Sequence, residues 1–553
     1  MNASPRPALT GPAITGPALT GPALAGPTRR AVVGTALGAG VGLGATLTGT
    51  LAPAAWLPGA AAAPARPLSR DPFTLGVASG DPLPDGVVLW TRLAPEPLAA
   101  DGLGGMPARE VAVRWEVATD ERFRRVVRRG VARTGPDAGH SVHVEVQGLS
   151  PARPYWYRFA AERWVSPAGL TRTAPAYDSS PASLSMAFAS CSQYEHGFFT
   201  AYRRLAEEQP ELVLHLGDYL YEYTKDDYVV APGNVRDHEG PETETLAGYR
   251  QRHAQYKTDA DLQAAHAAAP WVVVWDDHEV DNNWADEVPE KPAVPQPGFL
   301  ARRAAAFQAY YENMPLRRTS VPQGIDLQLY RRVQWGDLAT FHMMDTRQYR
   351  DDQACGDGTA VDCQEALDPS RTLCGDAQER WLVEGLAAST TTWDLLGQQV
   401  FFARRDFTAG PTRSLSMDGW DGYAPARQRL VDALPADANT VVLTGDVHRH
   451  YANDVLADFD DPDSAVRAAE LVCSSVTSGG DGSDTTAATD TQLRENPHIR
   501  FANSQRGYVM TEIGRDSLRA DFKVLPYVRR PGAPVSTRQS FVVEAGRPGL
   551  QQA

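Results

Sequence analysis

The stretch LVLHLGDYLYEY, residues 212–223, joins a short apolar run to a cluster of polar side chains. Its first five residues have the length and composition of a buried β-strand, and Gly217 ends the run. Asp218 and Tyr221 follow at a spacing of three, which brings both side chains to one side of a turn. Taken alone, this pair fits either a turn aspartate with a core tyrosine or a metal site.

Three other predicted strands end in the same kind of residue. They are SMAFASC with Cys191, WVVVWDDH with Asp277 and His278, and TVVLTGDVH with Asp446 and His448. Helical stretches such as FFTAYRRLAEEQP (198–210) alternate with these strands. Strand–helix alternation predicts an α/β layered core with ligands at the carboxyl ends of the strands. One such ending is common turn chemistry, whereas four together favour a shared site.

These strand ends offer two kinds of donor set. A thiol, a carboxylate, a phenol and an imidazole suit a trivalent, redox-capable ion such as iron; they belong to Cys191, Asp218, Tyr221 and His448. The oxygen-rich set suits a harder ion such as calcium, with one or two ions bound; it comprises Asp277, Asp446 and a bridging Asp218. Each residue also has a structural alternative, for example Cys191 as an inert core thiol.

Net charge excludes some partners. The 553 residues carry a formal charge of −15, which argues against nucleic acid or an anionic lipid surface as an electrostatically attracted partner. An anionic chain that binds phosphate-like anions needs concentrated positive charge, and a metal cluster supplies it. We expect a monomer, although the sequence leaves the oligomeric state open.

The first 65 residues have the composition of an export signal rather than of a fold. A Gly/Pro/Ala repeat precedes Arg29-Arg30 and a weakly hydrophobic Gly/Ala-rich segment, and Ala63 and Ala65 offer a cleavage site. We predict a twin-arginine signal peptide over 1–65, with the twin-arginine machinery as a partner and a secreted or cell-envelope location. A transmembrane anchor is the alternative, but the run contains few Leu or Ile residues.

The mature chain divides by pattern into two domains and a tail. Residues 66–176 alternate apolar and polar positions in short runs, which predicts an all-β sandwich of fibronectin type III or immunoglobulin-like type. Residues 177–545 form the predicted catalytic domain, and 546–553 a C-terminal tail. Cysteines 355, 363, 374 and 473 are expected to form disulfides outside the cytoplasm, with their pairing open and Cys191 left over.

The ordered motifs Cys191, GDYLY, WDDHE and GDVH resemble those of PhoD-type alkaline phosphatases, in the calcineurin-like and purple acid phosphatase superfamily of metallophosphoesterases. FTLGVASGDPLPDGVVLWTRL and MDTRQYR are also similar, and the resemblance runs from about residue 71 to at least 510. It implies a four-layer αββα core. It also implies that Tyr221 gives an iron phenolate, that Asp218 bridges, and that Asp277 and Asp446 replace neutral ligands of relatives, which favours calcium.

The implied activity is hydrolysis of phosphomonoesters and/or phosphodiesters by a metal-bound hydroxide at an iron–calcium site. His278 is expected to contact phosphate or act as general acid, and Arg347 to bind a phosphate oxygen or form a salt bridge. Gln398, Gln399 and His450 stay open between a role at the site and a structural one. The alternatives are a phospholipase D-like phosphodiesterase acting on phospholipid headgroups and, more remotely, a non-catalytic exported metal-binding or adhesion protein.

Overall fold

A ten-stranded sheet runs through the structure, a computed structural model that describes residues 67–291, 298–435 and 439–553. With strands numbered along the chain, its spatial order is β24 (Arg547–Gln552), β23 (Ser536–Glu544), β22 (Ser517–Leu525), β21 (Arg506–Gly514), β9 (Ser183–Ala189), β10 (Leu212–Leu216), β11 (Pro270–Val274), β1 (Val77–Leu83), β2 (Gly86–Arg92) and β5 (Ser141–Gln147). The central strands β9, β10, β11 and β1 are parallel. The predicted signal peptide, 1–65, lies outside the described residues.

A second, seven-stranded sheet packs against the first. Its order is β12 (Arg331–Trp335), β13 (Ala339–Met343), β15 (Trp393–Gly397), β17 (Thr440–Thr444), β19 (Val466–Val472), β18 (His450–Leu456) and β20 (Ile499–Asn503). Strands β13, β15, β17 and β19 are parallel. Apolar side chains of both sheets, including Leu216, Phe341 and Leu443, share one buried core. These strands are nearly continuous apolar runs because both faces of each sheet are covered.

Helices cover the outer faces of the two sheets. They are α1 (Thr200–Glu207), α2 (Leu246–Lys257), α3 (Ala260–Ala268), α4 (Phe299–Asn313), α5 (Gly375–Ala387), α6 (Ala424–Ala433) and α7 (Ala487–Glu495). The first four contribute to the core of the ten-stranded sheet, and α5 and α6 pack with the second sheet. The predicted αββα layering is therefore confirmed. Among the described residues, no helix has the length and hydropathy to cross a bilayer.

The N-terminal β-sandwich shares a sheet with the rest of the chain. One layer is a separate sheet of β3 (Val111–Ala118), β4 (Val126–Thr134), β6 (Pro154–Ala161), β7 (Trp164–Val165) and β8 (Gly169–Arg172). The other layer is β1, β2 and β5 of the ten-stranded sheet, because β1 pairs with β11. The described residues from 67 to 553 accordingly form one compact unit. A short ribbon pairs β14 (Thr359–Val361) with β16 (Ser414–Ser416).

The expected C-terminal tail is instead an edge strand. Residues 547–552 form β24, which pairs with β23. The backbone N–H of Leu550 donates to Asp454 Oδ1 at 2.8 Å, and the Leu550 side chain is buried. The segment RPGLQQ has only one large apolar residue, so its sequence lacks the alternation that marks a strand.

The cysteines form fewer disulfides than expected. Cys355 and Cys363 are bonded, whereas Cys374, Cys473 and Cys191 are free and buried. Cys374 packs in the core beneath α5, and Cys473 follows β19 with its Sγ 3.3 Å from Ser190 Oγ. The prediction that Cys355, Cys363, Cys374 and Cys473 all form disulfides is therefore wrong. Cys374 and Cys473 are buried in two separate hydrophobic clusters of the core.

Truncation of Leu550 tests the contribution of the last strand. We expect Leu550→Ala to lower the free energy of unfolding by about 2–4 kcal/mol, since it removes a buried side chain. Urea titration would measure the change. Gln552→Ala, at an exposed position of the same strand, should stay within about 0.5 kcal/mol. Equal stability of the two variants would show that β24 adds nothing to the core.

Thiol counting tests the cysteine assignment. Titration of the denatured, unreduced protein with a thiol reagent should find the three thiols of Cys191, Cys374 and Cys473. Reduction should add the two sulfurs of Cys355 and Cys363. A single thiol before reduction would restore the two-disulfide arrangement.

Candidate metal centre

Four strand ends from two sheets meet at one edge of the core. Cys191 follows β9, Asp218 follows β10, Asp277 follows β11 and Asp446 follows β17. Backbone hydrogen bonds tie the ends together: the Cys191 N–H donates to the Gly217 carbonyl at 3.1 Å, and the Ser192 N–H to the Asp218 carbonyl at 2.8 Å. Because the parallel strands of both sheets end here, the residues after them share one small volume.

The turns after these strands are strained. Cys191, Asp218, Asp446 and His448 all have left-handed backbones, with φ of 62°, 53°, 60° and 53°. Each such non-glycine residue costs on the order of 1 kcal/mol and persists where surrounding structure enforces it, typically at functional sites. Gly217 is required as well: its φ is 101°, and a Cβ there would lie 2.4 Å from Asp276 Cβ.

The residues of the first donor set lie close together. The Tyr221 hydroxyl donates to Asp218 Oδ2 at 2.8 Å and lies 3.0 Å from His448 Nε2. One ligand atom each of Cys191, Asp218 and His448 lies within 4.8 Å of the others. Ser478 Oγ, which sequence reasoning missed, is 2.8 Å from the Tyr221 hydroxyl and positions it. Thiol, phenol, carboxylate and imidazole thus face a common point.

Asp276 lies beside the residues of the second donor set. Ligand oxygens of Asp276, Asp277 and Asp446 lie within 4.8 Å of one another, and Asp218, Asp277 and His278 form an overlapping group. Asp276 was missed because two adjacent aspartates follow the strand, and residue type alone does not tell which of them faces the site. Asp218 also belongs to the group that contains Cys191, and Asp277 to the group that contains Asp446. These two residues therefore connect the two donor sets.

Unsatisfied oxygens indicate that these donors fit cations. Asp218 Oδ1, Asp277 Oδ1 and Asp276 Oδ2 are buried and have no hydrogen-bond partner among the described residues. Carboxylate oxygens without partners are costly to bury, and a bound cation would remove that cost. Thiol, phenol, imidazole and carboxylate donors are all present, so the site has the residues to hold metal ions.

Desolvation dominates the protonation of the donors. Burial and the nearby Asp218 raise the pKa of the Cys191 thiol, and burial also raises the pKa of Tyr221. Desolvation and Asp418 raise the pKa of Asp446 to about 7. Desolvation and Arg506 lower the pKa of His448 to about 3, which keeps its imidazole neutral and able to coordinate. Cation binding would therefore displace protons from the thiol and the phenol.

Arg347 does not face the cleft, contrary to the phosphate contact considered from the sequence. Its Nε donates to Asp276 Oδ1 at 2.6 Å, and its two Nη atoms donate to the carboxylate of Asp418 at 2.8 and 2.9 Å. The side chain is completely buried. Of the two alternatives, a phosphate contact or a salt bridge, the geometry matches the salt bridge. Arg347 is a positioning residue that holds Asp276 from the side away from the cleft.

His278 lies at the cleft with one nitrogen fixed. Its Nδ1 is 2.8 Å from Glu222 Oε2, and its ring lies 4.0 Å from the ring of Tyr221. Its Nε2 lies 3.9 Å from Asp277 Oδ2. Burial lowers the pKa of His278, but Glu222 and Asp277 raise it more, so the net pKa is well above its usual value. Glu222 was not singled out in the sequence.

Gln398, Gln399 and His450 have structural contacts instead of ligand positions. Gln398 Oε1 accepts from the Trp420 indole, and Gln399 Oε1 accepts from Thr346. His450 is buried rather than solvated, and its Nδ1 accepts from the Ser474 N–H at 3.0 Å. Neither amide oxygen is available to a cation in this arrangement.

A cleft of about 340 Å³ opens over the donors. Its lining residues are Asp218, Tyr223, Asp227, Tyr228, Asp277, His278, Asn282, Asn283, Asp446 and His448. The lining contains no Lys or Arg, so apart from His278 a bound phosphate would depend on cations for charge compensation. Five of these lining residues lie in loops and were not identified from the sequence motifs, namely Tyr223, Asp227, Tyr228, Asn282 and Asn283. Three of them, Tyr223, Asp227 and Tyr228, lie in the irregular segment between β10 and α2.

The two-sheet core and its strand-end donors define the class as a phosphoric ester hydrolase. The family model described as "PhoD-like phosphatase" matches residues 186–522, and that of the PhoD-like phosphatase N-terminal domain matches 59–175. Alkaline phosphatase D of Bacillus subtilis (strain 168) is 50% identical over 527 residues, which are 95% of this chain and 88% of that protein.

A solved structure described as "Structure of PhoD" superposes with a TM-score of 0.86 at 51% identity and covers 88% of this chain and 93% of that chain. The chain belongs to the PhoD-like phosphatase family, as the sequence motifs predicted. It is therefore a phosphoric ester hydrolase.

Replacement of Arg347 separates positioning from substrate binding. We expect Arg347→Met to lower the free energy of unfolding by about 3–5 kcal/mol, because it leaves the buried carboxylate of Asp276 without its cation and leaves only Arg350 to pair with Asp418. Urea unfolding of the purified variant would measure this. Unchanged stability combined with a raised KM would instead identify a direct phosphate contact.

Proposed function

We propose that the chain is an exported phosphatase that hydrolyses phosphomonoesters and/or phosphodiesters at a centre of one Fe³⁺ and one or two Ca²⁺ ions. The observation that carries this proposal is the position of the Tyr221 hydroxyl. It lies within 3.0 Å of both Asp218 Oδ2 and His448 Nε2, in a cluster that also contains Cys191. A buried phenol among a thiol, a carboxylate and an imidazole is a donor set for iron.

The proposed iron ligands are Cys191, Asp218, Tyr221 and His448. The proposed calcium ligands are Asp218, Asp277 and Asp446, with Asp276 beside them. All-oxygen donors support calcium at the second position, whereas zinc would favour nitrogen or sulfur. The shared carboxylate of Asp218 would hold the two ions close together, since its Oδ1 has no other partner.

When bound, such a pair of ions neutralises phosphoryl oxygens and activates a water for in-line attack. The residues of the chain orient the substrate and handle the proton. Glu222 holds His278 Nδ1, so the opposite edge of the ring is free for a phosphate oxygen or the leaving group. The Asn283 N–H donates to Asp277 Oδ2 at 2.7 Å and fixes that carboxylate.

Export by the twin-arginine pathway is the second part of the proposal. Arg29-Arg30 and the small residues near Ala63 support it. The disulfide between Cys355 and Cys363 is consistent with an oxidising compartment. Export of a folded protein would also allow the buried thiol of Cys191 to meet iron before it meets an oxidant.

Elemental analysis and a three-substrate assay test the function together. The purified protein should contain about one iron and one to two calcium ions per chain. It should release p-nitrophenol from the phosphate monoester, the bis ester or both, faster than it releases headgroup from phosphatidylcholine. Preference for the phospholipid would favour the phospholipase D-like alternative. A fully loaded protein that hydrolyses none of the three would favour a binding protein.

Asp218→Asn is the matching loss-of-function variant. Turnover should fall by more than about 100-fold, because changes even to the partners of metal ligands cost 10–100-fold. Circular dichroism should show that the fold is retained. Asp178→Asn, at an exposed position before β9, is the control and should keep full activity. Full activity of Asp218→Asn would rule out the bridged pair.

A further inference from the structure

The segment between β10 and α2 is long and irregular. It runs from 217 to 245 without a helix or a strand and supplies Tyr223, Asp227 and Tyr228 to the wall of the cleft. Irregular loops of this length in compact domains are usually functional, and something must hold them in place. Arg236 anchors the later part of the loop, because its Nη1 lies 2.6 Å from Asp259 Oδ2 and its guanidinium packs on the ring of Tyr194.

Three carboxylates converge beneath this loop. They come from Glu195, in the turn after Cys191, and from Asp226 and Asp237 of the loop itself. One oxygen of each lies within 4.8 Å of the others. None of the three lines the catalytic cleft.

Glu195 presents a buried oxygen without a partner. The side chain is completely buried, and its Oε1 accepts the N–H groups of Asp226 and His238, each at 3.2 Å. Its Oε2 has no hydrogen-bond partner among the described residues. His238 Nδ1 is 3.6 Å from Oε2 but is committed to the Tyr223 carbonyl at 3.0 Å, and its other nitrogen contacts Tyr256.

The nearby cations compensate only part of this negative charge. Lys225 Nζ lies 2.8 Å from Asp237 Oδ2 at the exposed end of the cluster. The guanidinium of Arg252 donates to the carbonyls of Tyr221 and Tyr223 rather than to Glu195. Burial raises the pKa of Glu195, as expected for a carboxylate whose charge is incompletely balanced.

We propose that Glu195, Asp226 and Asp237 bind a calcium ion that fastens the 217–245 loop and so shapes the wall of the cleft. The donors are all oxygens, and the two that come from the irregular loop, those of Asp226 and Asp237, are exposed to solvent that could complete the shell. These features suit Ca²⁺ better than Mg²⁺, which demands near-ideal octahedral geometry, or a transition metal. With three carboxylates, the affinity should be that of extracellular modules, about 10⁻⁴–10⁻³ M.

Calorimetric titration of the metal-loaded enzyme with CaCl₂ tests this site. The protein would first be passed into buffer with free calcium well below about 10⁻⁴ M, and its retained iron and calcium measured. One further weak binding event is expected. The exposed-position variants Asp226→Asn and Asp237→Asn should each weaken it at least tenfold, with the retained iron unchanged. These variants avoid the buried Glu195, whose replacement could impair folding.

Lys225→Met should change the calcium affinity in the opposite direction. Removal of the cation that competes for Asp237 should tighten calcium binding several-fold, whereas a merely structural acidic cluster would gain nothing from it. Asp178→Asn should leave the titration as in the parent. Added calcium should also lower KM of the parent but not of Asp226→Asn. An identical weak binding event in Asp226→Asn, Asp237→Asn and the parent would overturn the proposal, even if the phosphatase activity is as proposed.

Discussion

Several carboxylates are buried at the carboxyl ends of the parallel strands, and the rest of the structure depends on this constraint. Asp218, Asp276 and Asp277 are all buried there, and each has an oxygen without a hydrogen-bond partner. Uncompensated charges of this kind are too costly to persist in a low-dielectric environment. Arg347 compensates part of the charge from behind, and cations in the cleft would compensate the remainder.

The two-sheet architecture makes this concentration of charge possible. Parallel strands of both sheets end at the same edge, so residues distant in the chain come together without a long loop to carry them. The left-handed turns at Cys191, Asp218 and Asp446 direct the side chains inward at a conformational cost. The large apolar core between the sheets offsets that cost.

The distribution of charge around the cleft also explains how an anionic protein can bind an anionic substrate. The cleft has no Lys or Arg side chain in its lining, and its walls come from loops rather than from the sheets. Binding of phosphate would thus depend on cations at its floor, and substrate fit on the loop around Tyr223 and Tyr228. Calcium beneath that loop would couple the shape of the wall to the ion content of the surroundings.

The sequence by itself determined the layered α/β class, the family and the polar residues that follow the strands. Cys191, Asp218, Tyr221, Asp277, Asp446 and His448 each follow a strand, and short-range spacing is enough to mark such positions. Only the tertiary structure decided which polar groups face one another over long separations. The pairing of Asp276 with Arg347 and of Arg347 with Asp418 spans 71 residues each time.

For the same reason, the edge strand β24, the free thiol of Cys473 and the core contacts of Gln398 and Gln399 could not be inferred locally. Their states depend on neighbours from other layers of the fold: Asp454 beside Leu550, Ser190 beside Cys473 and Trp420 beside Gln398. Periodicity reports whether a side chain is buried, whereas the identity of its partner is set by how the sheets and helices pack.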